Sequence, residues 1–208
     1  MTGGRSASDD GRAVIELDTP HGPARVHRHD VDAPRALLVL GHGAGGGVTA
    51  PDLVGATKVA NEAGVSVALV EQPYRVAGRK SQPAAKQLDA AWIAVVEQLR
   101  GEEPLLVGGR SAGARVACRT VAETGAVAVL CLAFPVHPPG RPEKSRLSEL
   151  DAVDVPVLVV QGERDPFGMP PEAPGRTVAV VAGDHGLKTD RAAQAEAVRS
   201  WLDSLQQS

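Results

Sequence analysis

Apolar residues along this chain fall into two kinds of block, short and nearly continuous or longer and spaced as on a helix. Two runs, Ala13 to Leu17 and Ala24 to His29, alternate apolar and polar positions around Thr19-Pro20-His21-Gly22-Pro23. Alternation on both sides of a Pro/Gly turn predicts an antiparallel hairpin. Its three histidines, His21, His27 and His29, read as surface residues. Arg35 to Leu40, Val65 to Val70, Ala126 to Phe134 and Val155 to Gln161 are almost unbroken apolar runs, and a further strand begins at Leu105. Runs of this kind suit strands covered on both faces. Arg176 to Val181 reads as the last strand. Between the strands lie four predicted helices. Asp52 to Ala63 is bracketed by Pro51 and Gly64, a start and a stop. Pro83 to Leu99 carries Leu88, Ala91, Trp92, Val95, Val96 and Leu99 on one stripe. Ala112 to Glu123 ends at Gly125. Asp190 to Leu205 sets Ala197, Val198, Trp201, Leu202 and Leu205 together. Strand and helix alternate throughout, so the expectation is a doubly wound, mostly parallel α/β sheet with an N-terminal hairpin.

Two connecting segments stand out. Glu71-Gln72-Pro73-Tyr74-Arg75 reads as a polar loop, most simply a solvated one, the alternative being that Tyr74 and Arg75 rim a site. Pro135 to Leu150 is Pro-rich and charged. It is a short excursion, so any lid is minimal. The first 12 residues are rich in Gly, Ser and Asp and lack the apolar core of a signal peptide. They are expected to form a disordered tail, with residues 13–208 as one domain.

Composition narrows the function classes. A formal net charge of −3 offers no electrostatic case for nucleic acid or an anionic membrane. Aromatic residues make up 2% of the chain, which disfavours base-stacking platforms. The longest apolar run, Ala126 to Phe134, is too short to span a bilayer. The two cysteines, Cys118 and Cys131, sit in apolar segments without metal spacing and read as small buried hydrophobes. The expected location is the cytoplasm. Neither a metal nor a cofactor is expected.

The chemistry gathers on the run from Leu105 to Ala117. Inside it lies Gly109-Arg110-Ser111-Ala112-Gly113, a G-x-S-x-G pattern. A serine on a tight strand-to-helix turn takes strained backbone angles, so the residues two before and two after must be small. The turn lifts the hydroxyl clear of the sheet and sets the next N–H at a helix N-terminus, where an oxyanion would form. Such a serine needs a base, and the base needs an acid to orient it. Asp165 and His185 follow Ser111 in the order Ser…Asp…His, each on a loop after a predicted strand. Glu163 is the fallback acid. Asp151 and Asp154 precede a strand and belong at the other end of the sheet. Asp184 adjoins His185 and reads as a surface residue. The glycine-rich segment Gly41-His42-Gly43-Ala44-Gly45-Gly46-Gly47 lacks the residues of a phosphate loop and suits an oxyanion loop. The expected backbone donors are Ala112 with Ala44 or Gly45. His42 reads as an orienting residue, and His137 either lines the site or is structural. Arg110 and Arg115 flank the turn. Each either pairs with an acid beneath the loops or faces an anionic substrate group.

Four segments carry a resemblance: Gly41 to Gly46, Gly108 to Arg115, Phe134-Pro135-Val136-His137-Pro138-Pro139-Gly140, and Gln161 to Gly168 with its Arg164-Asp165-Pro166-Phe167-Gly168. Together they resemble the small α/β-hydrolases related to dienelactone hydrolase. That group also includes the hydrolase-like domain of the third subunit of the eukaryotic NSL histone acetyltransferase complex. The resemblance runs from about Ala36 to the C-terminus. It implies a lidless α/β-hydrolase core with Ser111, Asp165 and His185 as triad, and it implies no substrate. Dienelactone hydrolase uses a cysteine where this chain has Ser111. The expected activity is that of a serine hydrolase of esterase or thioesterase type, acting on small esters through an acyl-enzyme, with a small-molecule ester as partner. Nothing in the sequence supports a protein partner. The rival readings are a catalytically silent hydrolase fold used for protein contacts, and a nucleotide held by the glycine-rich loop.

Overall fold

The computed structural model describes residues 12–206. The tail expected over residues 1–12 falls outside them, apart from Arg12, whose backbone opens the first strand. The strands are β1 (Arg12–Leu17), β2 (Ala24–His29), β3 (Ala36–Gly41), β4 (Val65–Glu71), β5 (Leu105–Arg110), β6 (Ala128–Leu132), β7 (Val157–Gly162) and β8 (Arg176–Val181). The helices are α1 (Pro51–Glu62), α2 (Pro73–Val76), α3 (Ala85–Leu99), α4 (Ala112–Thr124), α5 (Leu147–Asp151) and α6 (Arg191–Ser204). All eight strands join one sheet in the order β1-β2-β4-β3-β5-β6-β7-β8. The hairpin strand β2 runs antiparallel to β4, and the pairs from β4 to β8 are parallel.

Side chains alternate across each strand and so build two cores. Leu37 and Val39, Leu105 and Val107, Val129 and Cys131, and Val157 and Val159 face Trp92, Val95, Val116 and Val121 of α3 and α4. Leu38 and Leu40, Leu106, Leu130 and Leu132, and Leu158 and Val160 face Leu53, Ala56, Val198 and Trp201 of α1 and α6. Burial on both faces explains why these strands read as unbroken apolar runs. Cys118 and Cys131 are buried free thiols in the first core, with their sulfurs 3.6 Å apart.

The structure corrects three expectations. The strand expected over Ala126 to Phe134 is shorter, because Ala133 takes a left-handed backbone (φ 54°) that stops the ladder. The polar loop after β4 holds a helical turn, α2, which Pro73 starts. Within it Tyr74 is only 5% exposed, so it is not a rim residue. The excursion after β6 carries the short helix α5, which Arg115 grips through Glu149 at 2.7 and 2.6 Å. Among the described residues no helix is long and apolar enough to cross a membrane.

One packing point places the site. The end of β3 and the start of α4 touch backbone to backbone, so a Cβ on Gly113 would collide with the Gly41 carbonyl. Gly113→Ala should therefore lower stability in urea denaturation by about 1–3 kcal/mol, the usual cost of overpacking, while an alanine at the open Gly45 changes little.

Candidate active site

Ser111 joins β5 to α4 with φ 51° and ψ −107°, a backbone that side-chain-bearing residues rarely adopt. Two features hold it there. Its N–H donates to the Leu132 carbonyl at the end of β6, 2.9 Å away. The flanking glycines admit β3: a Cβ on Gly109 would fall 2.5 Å from the Gly41 oxygen. Strain and close approach make one geometry, and it presents the hydroxyl above the carboxyl ends of the strands.

Asp165 follows β7 and His185 follows β8, and their loops are laced together. Arg164 N–H donates to the Gly183 carbonyl and Glu163 N–H to that of Val181, both at 2.9 Å. Asp184 shapes its own turn by accepting from Gly186 N–H at 2.8 Å. It stays exposed, as expected. The result is a continuous chain. Ser111 Oγ lies 2.9 Å from His185 Nε2, and His185 Nδ1 lies 2.8 Å from Asp165 Oδ2. With Asp165 as a carboxylate, Nδ1 carries the proton and Nε2 is left to accept from the serine hydroxyl. The Asp165 side chain is fully buried. It accepts Phe167 N–H on Oδ1 at 2.8 Å and Gln161 Nε2 on Oδ2 at 2.9 Å. Glu163, the fallback acid, instead pairs with Arg164 at the surface.

The glycine-rich loop is fixed from below. His42 is 3% exposed. Its Nδ1–H donates to the Gly43 carbonyl at 2.8 Å, and its Nε2 accepts from Gln72 N–H at 3.2 Å. Burial lowers its pKa, so the neutral ring is favoured. His42 is thus an orienting residue. The Tyr74 hydroxyl donates to the Ala44 carbonyl at 3.1 Å. A Cβ on Gly43 would stand 3.7 Å from Ser111 Cβ and 3.0 Å from Arg110 Nη1, whereas one on Gly45 would meet nothing within 4 Å. The loop therefore approaches the serine through Gly43. Ala112 opens α4, with its N–H at the helix N-terminus.

Arg110 resolves into the first of its two readings. Its Nε lies 2.7 Å from Asp52 Oδ2, and a terminal nitrogen donates to the His185 carbonyl at 3.0 Å. One guanidinium thus ties α1 to the His185 loop around Ser111. Arg115 likewise pairs with an acid, Glu149. His137 is not brought to Ser111. Its N–H donates to the Phe167 carbonyl at 3.0 Å, and its ring packs on Gly168.

Three contributors escaped the sequence. Phe167 stacks on the His185 ring with centroids 4.1 Å apart. Gln161 Nε2 reaches Asp165, the Phe134 carbonyl and the Gly168 carbonyl. Asp52 showed only as an acid at a helix start. Their signal was position next to Asp165 or after a proline, which does not specify a contact. Among the described residues no cluster of three or more His, Cys, Asp or Glu is placed to hold a metal ion.

Asp52 is 1% exposed, and burial raises its pKa while Arg110 pulls it back down. Removing Arg110 leaves a buried acid without its cation, at a cost of about 3–5 kcal/mol. Asp52 then rises further. A raised folded-state value means that stability is lost as pH climbs through it. Arg110→Met should therefore lose ground to wild type progressively as pH climbs past the already raised value of wild-type Asp52, as read by urea denaturation across pH. A gap that stayed constant with pH would contradict the pairing.

Comparisons with known proteins place the fold. A lidless α/β serine hydrolase of Xanthomonas campestris superposes with a TM-score of 0.72 at 23% identity, over 91% of this chain and 94% of that one. Est1E of Butyrivibrio proteoclasticus gives 0.75 at 16% identity, over 94% and 99%. A dienelactone hydrolase of Anabaena variabilis gives 0.72 at 14% identity, over 94% and 97%. No curated protein matches the sequence. The model of the alpha/beta hydrolase domain matches residues 34–208, and the chain belongs to that α/β-hydrolase family.

Proposed function

We propose that the protein is a serine hydrolase that cleaves small carboxylic esters through an acyl-enzyme. The observation that carries this reading is the chain of two short hydrogen bonds from Ser111 through His185 to Asp165. In the first step Ser111 Oγ bonds to the acyl carbon as its proton passes to His185 Nε2. The carbonyl π-pair moves onto oxygen and is received by the N–H groups of Ala112 and Ala44. The C–O bond to the alcohol then breaks, and the alcohol leaves with the proton from His185. Water repeats the sequence on the acyl-serine and releases the acid. Asp165 holds the ring in the Nδ1–H tautomer and stabilises the imidazolium that forms in each half.

Support comes also from the support of the base itself. Asp165 cannot turn, because its two oxygens hold three donors in a buried site. Phe167 covers one face of His185. A ring held on its face and on its Nδ1 has one direction left for Nε2, toward the serine. Est1E has been solved with ferulic acid bound, a carboxylic acid of the kind that ester hydrolysis releases.

A fluorophosphonate probe should label the wild-type protein and not Ser111→Ala. On a p-nitrophenyl ester, His185→Ala should lower kcat by roughly 10⁶-fold and Asp165→Asn by roughly 10⁴-fold. A folded wild-type protein that takes no Ser111-dependent label would sink the enzyme reading and leave the interaction module.

A further inference from the structure

A small recess borders Ala112, the proposed oxyanion donor. Its walls are Ala112 and Gly113 on the first turn of α4, Gly41 and His42 at the end of β3, Trp92 of α3, and the trio Gln72, Tyr74 and Leu88. Its volume is about 10 Å³, room for a single water or methyl-sized group. Beyond it lies a cavity of about 460 Å³ between the β1–β2 turn, α2 and the start of α3. The two spaces share three wall residues: Gln72, Tyr74 and Leu88. Tyr74 is the largest of them, and it is fixed by its bond to the Ala44 carbonyl.

The sheet order says which arm of an ester meets this recess. His185 comes to Ser111 from the β8 side of β5, and the recess lies on the β3 and β4 side. The leaving alcohol must meet His185 to take its proton. An acyl group pointing away from His185 lies over the first turn of α4, whose Ala112 and Gly113 border the recess.

We propose that Tyr74 is the residue that sets acyl length, and that the protein selects esters of acetyl-sized acids. This rests on the hydrolase reading above. An acetyl methyl fits beside Ala112, and a longer chain runs into the Tyr74 ring. Gln72 opposes a longer apolar chain as well. It is 6% exposed, its Nε2 donates to the Leu88 carbonyl, and its Oε1 has no hydrogen-bond partner among the described residues. An alkyl chain pressed against that acceptor cannot satisfy it. Removing the ring joins the recess to the cavity beyond and leaves Gln72 as a polar wall of the joined space.

The test is the ratio of kcat/KM for p-nitrophenyl hexanoate to that for the acetate, a ratio that a general loss of activity does not move. Wild type should favour the acetate by 10-fold or more, which is the scale of discrimination that a few methylenes allow. Tyr74→Ala should raise the hexanoate/acetate ratio at least 10-fold, and Tyr74→Ala with Gln72→Leu should raise it further. Tyr74→Phe removes the bond to Ala44 but keeps the ring, and should leave the ratio as in wild type. Should Tyr74→Ala fail to fold, Leu88→Ala widens the same wall without touching the tyrosine and should raise the ratio too. An unchanged ratio in every folded enlarging variant that still carries a Ser111-dependent fluorophosphonate label overturns the proposal and leaves the hydrolase reading standing. Absence of that label in wild type overturns both.

Discussion

Everything at this site depends on one close backbone approach. Gly41 at the end of β3 meets Gly109 and Gly113 on either side of the Ser111 turn, and a methyl on either of the latter would intrude on the Gly41 oxygen. This contact lets β5 turn sharply into α4. It also brings the strand that carries the glycine-rich loop beside the strand that carries the serine. Nucleophile and loop are therefore placed by a single constraint, and that constraint is steric. The positive φ of Ser111 is affordable because a hydrogen bond to Leu132 and two packed faces hold the turn from outside.

The loops above the sheet are then held by polar contacts. His42 accepts from one backbone N–H and donates to a carbonyl, which fixes both the tautomer of its ring and the path of the loop. Asp165 receives three donors. Arg110 joins a buried acid to the His185 loop. Without a large lid, these contacts hold the site ordered before substrate arrives, so little ordering is left to be done in the reaction itself.

Much of this was legible in the sequence, and the reason is local chemistry. Unbroken apolar runs between glycines identify parallel strands because both faces are buried, as at Leu37–Leu40 and Leu158–Val160. The turn at Ser111 is legible because strain demands glycines at fixed offsets. Asp165 and His185 are legible because each follows a strand in the order that the fold family requires. What escaped is contact between segments far apart in the chain. Asp52 and Arg110 belong to different elements, and no periodicity links them. Tyr74 sat in a charged stretch and read as exposed, yet α2 turns it inward beneath Ala44. Ala133 shows the same limit at short range: its residue type fits a strand, and only its backbone angle ends one.

The charge pattern around Ser111 is balanced as well. An arginine beside a nucleophile suggests an anionic substrate until its partners are counted. Arg110 is met by Asp52 at 2.7 Å, and Arg115 by both oxygens of Glu149. Arg119 is met by Asp89 and again by Glu149. Each cation near the turn is thus offset by a carboxylate, and the guanidinium of Arg110 is spent on orientation. The standing charges beside Ser111 therefore cancel in pairs and leave the turn without a free cation among these three arginines.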